Sequence, residues 1–399
     1  MTTPRVLHGR ILTATGWVHG DIEFDQRVRR IRATQADTGD DAPLILPGFI
    51  DLHVHGGAGV DIMQGGDAAR TVARTHARHG TTALLGTTMT AHEDEIVHAL
   101  QGLAAAIDTR TPDMARVLGV HLEGPYISLE RLGAQPPLVV EATLAQVQRL
   151  HALAPIRVLT LAPEVGEHRQ LIPQLSALGI RVQLGHSAGS YEDGVAALEA
   201  GAAGFTHLFN GMTGLDHYRP GIAAAALAHA QYAELIPDLQ HVHPGAIRTA
   251  LRAIPRLYCV TDATAATGMP DGEYALGSQR VHKCLGCVRL STGSLAGSAL
   301  TMDQALRNLV ALGLELADAS HRLSLYPADY LALHDRGRLQ ADAWADVVVL
   351  DSELRVRQVF VEGDEVALDE VALDEVALDE VALDEVALDE VALDEVALD

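Results

Sequence analysis

Between residues 45 and 262 this chain repeats one pattern: a short β-branched apolar run, then an alanine-rich stretch with helical spacing. The runs are Ile45 to Val54, Thr81 to Met89, Arg116 to Leu122, Ile156 to Ala162, Ile180 to Gly185, Gly204 to Leu208, Tyr232 to Ile236 and Leu257 to Asp262. Helical patterns fall between them, for example Asp67 to His79, Glu141 to Ala152 and Tyr191 to Ala200. Strands joined through helices pair in parallel, because each crossover returns the chain to the same end of the sheet. Eight such units predict an α/β fold, a (β/α)8 TIM-like barrel over residues 47–333 whose site lies where the strands end. Aromatic residues make up only 4% of the chain, so Ala, Val, Leu and Gly must fill the interior, which suits many short elements in close contact.

The two ends read differently. Arg5 to Thr13, Gly16 to Phe24 and Val28 to Ala33 look like short strands with turns, and Asp346 to Asp351 and Val356 to Glu362 repeat that texture. Residues 1–46 and 334–363 are expected to form one small β-sandwich domain. From residue 364 the chain becomes a low-complexity acidic tail, in which Glu-Val-Ala-Leu-Asp recurs seven times. A five-residue period gives no continuous apolar stripe on a helix and changes face with each repeat in a strand, so residues 364–399 are expected to be disordered.

Those seven copies, with two carboxylates each, carry −14 of the formal charge of −24 and leave the body at −10. That balance argues against a nucleic-acid partner. No apolar segment follows Met1-Thr-Thr-Pro-Arg5, and no stretch is long enough to span a bilayer, so a cytoplasmic protein is expected. Three cysteines fit a reducing compartment. Cys284-Leu-Gly-Cys287 has the spacing of half a zinc site, but only His282 lies close by, and a hairpin turn at Leu-Gly is the simpler reading.

Chemistry-bearing residues gather at the C-terminal ends of the predicted strands. His53 and His55 close the first run, and residues two apart on a strand share a face, so both imidazoles can meet one ion. Glu123, His186, His207 and Asp262 end later runs. On a barrel these positions converge on one mouth, giving four imidazoles and two carboxylates, an N/O set suited to zinc or iron.

The surrounding words resemble the amidohydrolase superfamily, and within it the N-acetylglucosamine-6-phosphate deacetylases. They run in order: His121-Leu-Glu-Gly-Pro-Tyr126, Leu159-Thr-Leu-Ala-Pro-Glu164, Gly185-His-Ser187, Thr206-His-Leu-Phe-Asn-Gly-Met212, Thr261-Asp-Ala263 with Thr267-Gly-Met-Pro-Asp-Gly272, and Leu295-Ala-Gly-Ser298. The resemblance spans Pro47-Gly-Phe-Ile-Asp51 to Ala345-Asp346. It implies that Glu123, His186 and His207 hold a principal divalent ion and that His53 and His55 hold a second, with Glu123 bridging. It further implies attack by metal-bound hydroxide on the 2-acetamido group of an amino-sugar phosphate, with Asp262 as general base and then acid, and a homodimer. Substrate contacts fall by the same resemblance on Ala134, Gln135, Asn210, Gly211, His241, Leu295, Ala296 and Gly297.

Two departures bear on the substrate. Where the family has an arginine two residues before Pro-Gly, this chain has Tyr218, with Arg219 next in His217-Tyr-Arg-Pro-Gly221. A phenol does not replace a guanidinium fork on a phosphate, so Arg219, helped by His217, is expected to take that contact. A sibling activity on N-acetylgalactosamine 6-phosphate or another N-acyl amine is the alternative. The second departure is Asp238-Leu-Gln-His241, where the family has glycine after the aspartate, which bears on where His241 points.

Overall fold

Leu44–Pro47 and Phe49–Val54 are two strands, where the sequence suggests a single run from Ile45 to Val54. Proline brings no N–H to a ladder, and the chain changes sheets beside it. The Gly48 N–H donates to Asp346 O at 2.9 Å, whereas the Phe49 N–H donates to Gly80 O at 3.0 Å. No side chain could occupy position 48, since a Cβ there would stand 2.2 Å from Thr82 Oγ1. In the computed structural model, which describes residues 4–34 and 42–368, this one residue hands the chain from a small sheet to a barrel.

The barrel strands are β1 (Phe49–Val54), β2 (Thr81–Thr88), β3 (Arg116–Glu123), β4 (Ile156–Leu161), β5 (Arg181–Leu184), β6 (Gly204–Phe205), β7 (Tyr232–Leu235) and β8 (Arg256–Cys259). β1 to β6 pair in parallel in sequence order, and β7 pairs in parallel with β8. Two seams close the ring. Leu208 N–H donates to Glu234 O at 2.8 Å beyond β6, and Asp262 N–H donates to His53 O at 2.9 Å beyond β8. Helices Ala68–Ala77, Glu93–Asp108, Leu144–Leu153, His168–Ala177, Tyr191–Glu199, Ile222–His229 and Pro244–Ala253 follow the first seven strands, and Met302–Ala311 follows β8 after an insertion. Their starts follow local chemistry: Thr143 and Ser190 side chains accept the N–H of Gln146 and Asp193, and Pro244 stands in the first turn after His243.

β6 and β8 are shorter than their apolar runs suggest. His207 (φ 28°), Phe209 (φ 81°) and Asp262 (φ 52°) leave extended geometry, so the chain turns before the run ends.

The insertion is a three-stranded meander, Gly272–Leu276, Gln279–Cys284 and Cys287–Leu290, with the expected turn at Leu285-Gly286. Met89, Ala266, Leu276, Val281, Val288 and Ala296 fasten it over one side of the barrel mouth.

The ends of the chain share a seven-stranded sheet, in which Arg5–Thr13, Gly16–Phe24 and Val28–Ala33 join Leu44–Pro47, Val347–Leu350, Val356–Val361 and Asp364–Glu365. Phe24 and Phe360 stand four strand steps apart, about 19 Å in a flat sheet. Their rings are 5.1 Å apart, so the sheet folds over and buries Ile11, Ile22, Ile45 and Val347 between its halves. The sequence suggests a disordered tail from residue 364, but Asp364–Glu365 pair with Phe360 and Val361 as the last strand of this sheet, and the tail beyond Leu368 lies outside the described residues. No described helix is long and apolar enough to cross a membrane.

Candidate active site

The strand ends bring together four imidazoles and two carboxylates. His53 lies on β1 and His55 just past its end, Glu123 ends β3, and His186, His207 and Asp262 stand just past β5, β6 and β8. The last three adopt positive φ (46°, 28° and 52°), a conformation costing roughly 1–2 kcal/mol per L-residue, and such strain gathers where a site over-determines the backbone.

All four rings aim Nε2 at the same place. Glu123 Oε1 lies 3.0 Å from His207 Nε2, 3.2 Å from His186 Nε2 and 3.5 Å from His53 Nε2. Glu123 Oε2 is 3.4 Å from His55 Nε2, and Asp262 Oδ1 is 3.4 Å from His53 and 3.2 Å from His55. The ring nitrogens also face each other, at 3.1 Å for His53 and His55 and 3.2 Å for His186 and His207.

Hydrogen bonds behind the rings decide what those nitrogens offer. His186 Nδ1 meets Arg131 O at 2.8 Å, and His53 Nδ1 meets Glu234 Oε2 at 3.1 Å. A carbonyl and a carboxylate only accept, so both Nδ1 atoms carry hydrogen, and in the neutral rings Nε2 presents a lone pair. Lone pairs converging on carboxylates make a cation site. A tetrahedral ion with ligands at 2.0–2.1 Å needs ligand atoms about 3.3 Å from one another, and the spacings above scatter around that value. The field has the same sense: burial resists charge on His55, but Asp262 and Glu123 lift it to about 9, while Asp262, opposed by burial, is held at about 2 by the imidazoles.

The cavity over this cluster is lined by Ala134, Gln135, Asn210, Gly211, His241, Leu295 and Gly297, together with Met89, Gly133 and Leu276. Glu123 and Asp262 are the only acids in its wall, and neither lysine nor arginine lines it among the described residues. His241 is the candidate cation: its Nδ1 is 2.7 Å from Asp238 Oδ2, and Asp238 Oδ1 also accepts the N–H of Gln240 and of His241. The leucine after Asp238 takes a positive φ of 63°, so the loop keeps a turn that would favour glycine. The remaining substrate-contact candidates stand apart. Ala296 is buried, its N–H bonded to Val288 O, and His217, Tyr218 and Arg219 lie exposed on a loop where Asp216 Oδ1 accepts the N–H of Tyr218 and Arg219.

A model of the amidohydrolase family matches residues 44–366. The chain belongs to the amidohydrolase family. This amidohydrolase is 41% identical over 365 residues to N-acetylgalactosamine-6-phosphate deacetylase of Escherichia coli O157:H7, across 89% of this chain and 97% of that one. It is 38% identical over 327 residues to N-acetylglucosamine-6-phosphate deacetylase of Lysinibacillus sphaericus, across 80% and 84%. Among solved structures it aligns with a mutant of N-acetyl-D-glucosamine-6-phosphate deacetylase from Mycobacterium smegmatis in complex with N-acetyl-D-glucosamine-6-phosphate, at TM-score 0.85 and 32% identity over 92% of this chain and 100% of that one.

Several roles at this amidohydrolase's site escape sequence reasoning, which places Gln135 only as a substrate contact. Gln135 lines the cavity, yet its amide serves the cluster: Nε2 donates to Glu123 Oε2 at 2.7 Å while Oε1 accepts the Thr90 N–H at 2.7 Å. Glu164 accepts from the Ser187 hydroxyl and the Ala188 N–H and so fixes the turn that carries His186. Glu234 offered a signal in the sequence, an acid inside the apolar strand Tyr-Ala-Glu-Leu, where burial without a partner is costly.

Proposed function

We propose that this amidohydrolase removes the acetyl group from N-acetyl-D-glucosamine 6-phosphate, giving D-glucosamine 6-phosphate and acetate. The observation that carries the reading is the convergence of four Nε2 lone pairs on Glu123 and Asp262 beneath a small cavity. Glu123, His186 and His207 would hold a first divalent ion, zinc or iron, and His53 and His55 a second. When bound, such ions make water acidic enough to yield a nucleophile at neutral pH and polarise the acetyl carbonyl.

The chain's own groups do the rest. Asp262, held ionised, accepts the proton of the attacking water and returns it to the departing amine, which cannot leave as an anion. Gln135 steadies Glu123 through its 2.7 Å hydrogen bond. His241, fixed by Asp238, presents Nε2 to the cavity and donates to the sugar phosphate or to the developing oxyanion. Asn210, Gly211 and the Leu295-Ala-Gly297 loop close around the sugar. Residues 1–46 with 334–363 act as a supporting domain for the 47–333 barrel. A cytoplasmic homodimer completes the reading, supported by the family resemblance and by three cysteines that are all free.

A second reading, N-acetylgalactosamine 6-phosphate as the substrate, is favoured by the 41% identical relative of that activity and by the exposed Tyr218 at the phosphate-contact position. Acetate release by zinc- or iron-reconstituted protein from both sugar phosphates and from unphosphorylated N-acetylglucosamine tests both. A kcat/KM highest on the glucosamine compound supports the first reading, and one highest on its epimer replaces it with the second. Turnover of the unphosphorylated sugar as good as either would remove the phosphate from the proposal.

A further inference from the structure

Beneath the candidate centre lies a carboxylate that no step above uses. Glu234, on β7, is fully buried, and neither lysine nor arginine contacts it among the described residues. Its Oε2 lies 3.1 Å from His53 Nδ1 and 3.4 Å from the His207 N–H, and its Oε1 accepts the Tyr258 hydroxyl at 3.2 Å. Behind Tyr258 the polar floor continues. Gln183 Nε2 donates to the Tyr258 oxygen at 2.7 Å, Gln183 Oε1 accepts from Thr206, and Thr206 and Thr160 hydroxyls meet at 2.8 Å. With Oε1 held by Tyr258, Oε2 is left facing His53.

Ligand atoms of His53, His121 and Glu234 also come within 4.8 Å of one another, as if to hold an ion of their own. The hydrogen bonds exclude that. His121 Nδ1 faces Leu52 O at 3.0 Å, so it carries hydrogen and has no lone pair to give, and its Nε2 is engaged by Thr160 at 2.7 Å. The triangle is a hydrogen-bonded floor.

We propose that Glu234 is the positioning residue that makes His53 and His55 a second metal site. It acts through His53 in two ways. As an acceptor it fixes the tautomer, so that Nε2 and not Nδ1 is the free lone pair, and it holds the ring at the angle that aims that lone pair at His55, Glu123 and Asp262. As a charge it adds a third carboxylate to a buried cluster in which two divalent ions would otherwise face only Glu123 and Asp262. An imidazole hydrogen-bonded to a carboxylate is also a more basic ligand, and loss of such a partner commonly weakens metal binding 10–100-fold. The first ion, on Glu123, His186 and His207, would be oriented by Arg131 O and Gln135, and Glu234 reaches it only through the 3.4 Å contact with the His207 main-chain N–H, which a glutamine oxygen at position 234 can still accept.

The inference rests on the two-ion reading of the proposed function, and one experiment separates their failures. Full-length protein is stripped with a chelator, titrated with Zn²⁺, dialysed and analysed for zinc per chain, with folding followed by circular dichroism. Wild type should bind two ions. Glu234→Gln should keep the first with unchanged affinity and bind the second 10–100-fold more weakly, and Tyr258→Phe, which leaves the carboxylate but frees it, should shift the second ion in the same direction. In a His53→Asn background, Glu234→Gln should weaken zinc binding by less than it does with His53 present, because the hydrogen-bonded route to the ion is already cut and only the charge remains; a merely structural glutamate would show its full cost there. Should Glu234→Gln fail to fold, Tyr258→Phe carries the test. Two ions held by both variants with wild-type affinity, or a single ion in wild type, would overturn the proposal. Wild type that binds no zinc would instead remove the functional reading beneath it.

Discussion

Asp262 joins strain, charge and chemistry in one residue. Its left-handed backbone turns the carboxylate from β8 to within 3.2–3.4 Å of the His53 and His55 nitrogens, and those imidazoles overcome burial to keep it ionised at about 2. Asp262→Asn keeps the shape and removes the proton acceptor, so kcat should fall roughly 10²–10⁴-fold while elemental analysis still finds the ion on Glu123, His186 and His207. Loss of all metal would make Asp262 chiefly a ligand. His241 shows how a neighbour sets a charge. Burial disfavours its imidazolium, but the Asp238 carboxylate outweighs burial and raises its pKa above the ordinary histidine value. A raised histidine holds its proton at low pH and loses it as pH climbs through the raised value. KM for a phosphorylated substrate should therefore rise with pH through that window, and Asp238→Asn should move the rise to lower pH, while KM for the unphosphorylated sugar stays flat. Identical profiles for variant and wild type would detach His241 from the phosphate.

At the scale of elements, the loop from the meander to the helix Met302–Ala311 holds the site in register. Ser298 N–H donates to Asp262 O at 2.8 Å, and Gly297 beside it has φ +61°. A Cβ at Gly297 would stand 2.5 Å from Thr264 Cγ2 and 2.9 Å from Asp262 O, so both must shift. Gly297→Ala should cost about 1–2 kcal/mol in denaturant unfolding from the backbone alone and lower kcat at least tenfold by displacing Asp262; wild-type kcat with that stability loss would show that the loop tolerates the shift. How far such elements were legible follows from their physics. Strands such as Arg5–Thr13 and Val28–Ala33 are readable to the residue because turn signals, Ala14-Thr15-Gly16 and Asp25-Gln26, bound them. β6 and β8 were read long because His207 and Asp262 turn early to serve the site, a tertiary demand that apolar runs do not record. Of the meander at 272–290 only the Leu285-Gly286 turn is legible, because its strands carry no strong alternating pattern. Ligand residues were visible as strand-end chemistry, whereas Gln135, Asp238 and Glu234 act through hydrogen bonds whose partners only folding brings near.

Across the whole molecule, one ion network fastens the end-built sheet to the barrel at positions no local pattern connects. Glu362 follows the strand Val356–Val361 and accepts from Arg116, the first residue of β3, at 2.7 and 2.8 Å, from Arg110 at 3.1 Å and from Arg336. Arg336 in turn donates to Asp346 at 2.5 Å, and Asp346 Oδ1 accepts the Glu362 N–H. Burial favours the neutral form of Glu362, but the arginines outweigh it and hold the carboxyl at about 2 against a usual 4.5. A depressed carboxylate stabilises the fold fully above its unfolded value and loses that contribution as pH falls from there through its folded value. The stabilisation should thus be constant from neutrality to about pH 5 and fade between about 4.5 and 2. Glu362→Gln leaves three guanidinium groups without their shared counter-charge, which should cost about 3–5 kcal/mol at pH 7. Urea unfolding of wild type and variant at pH 7 and at pH 3 measures both halves of the claim. The gap between them should narrow at pH 3, because wild type has by then lost most of what the charge supplied, and zinc content should match in both proteins, because Glu362 is not among the residues around the cation cluster. A gap of equal size at both pH values would assign the loss to packing at position 362 and leave the ion network without a role in joining the two parts of the molecule.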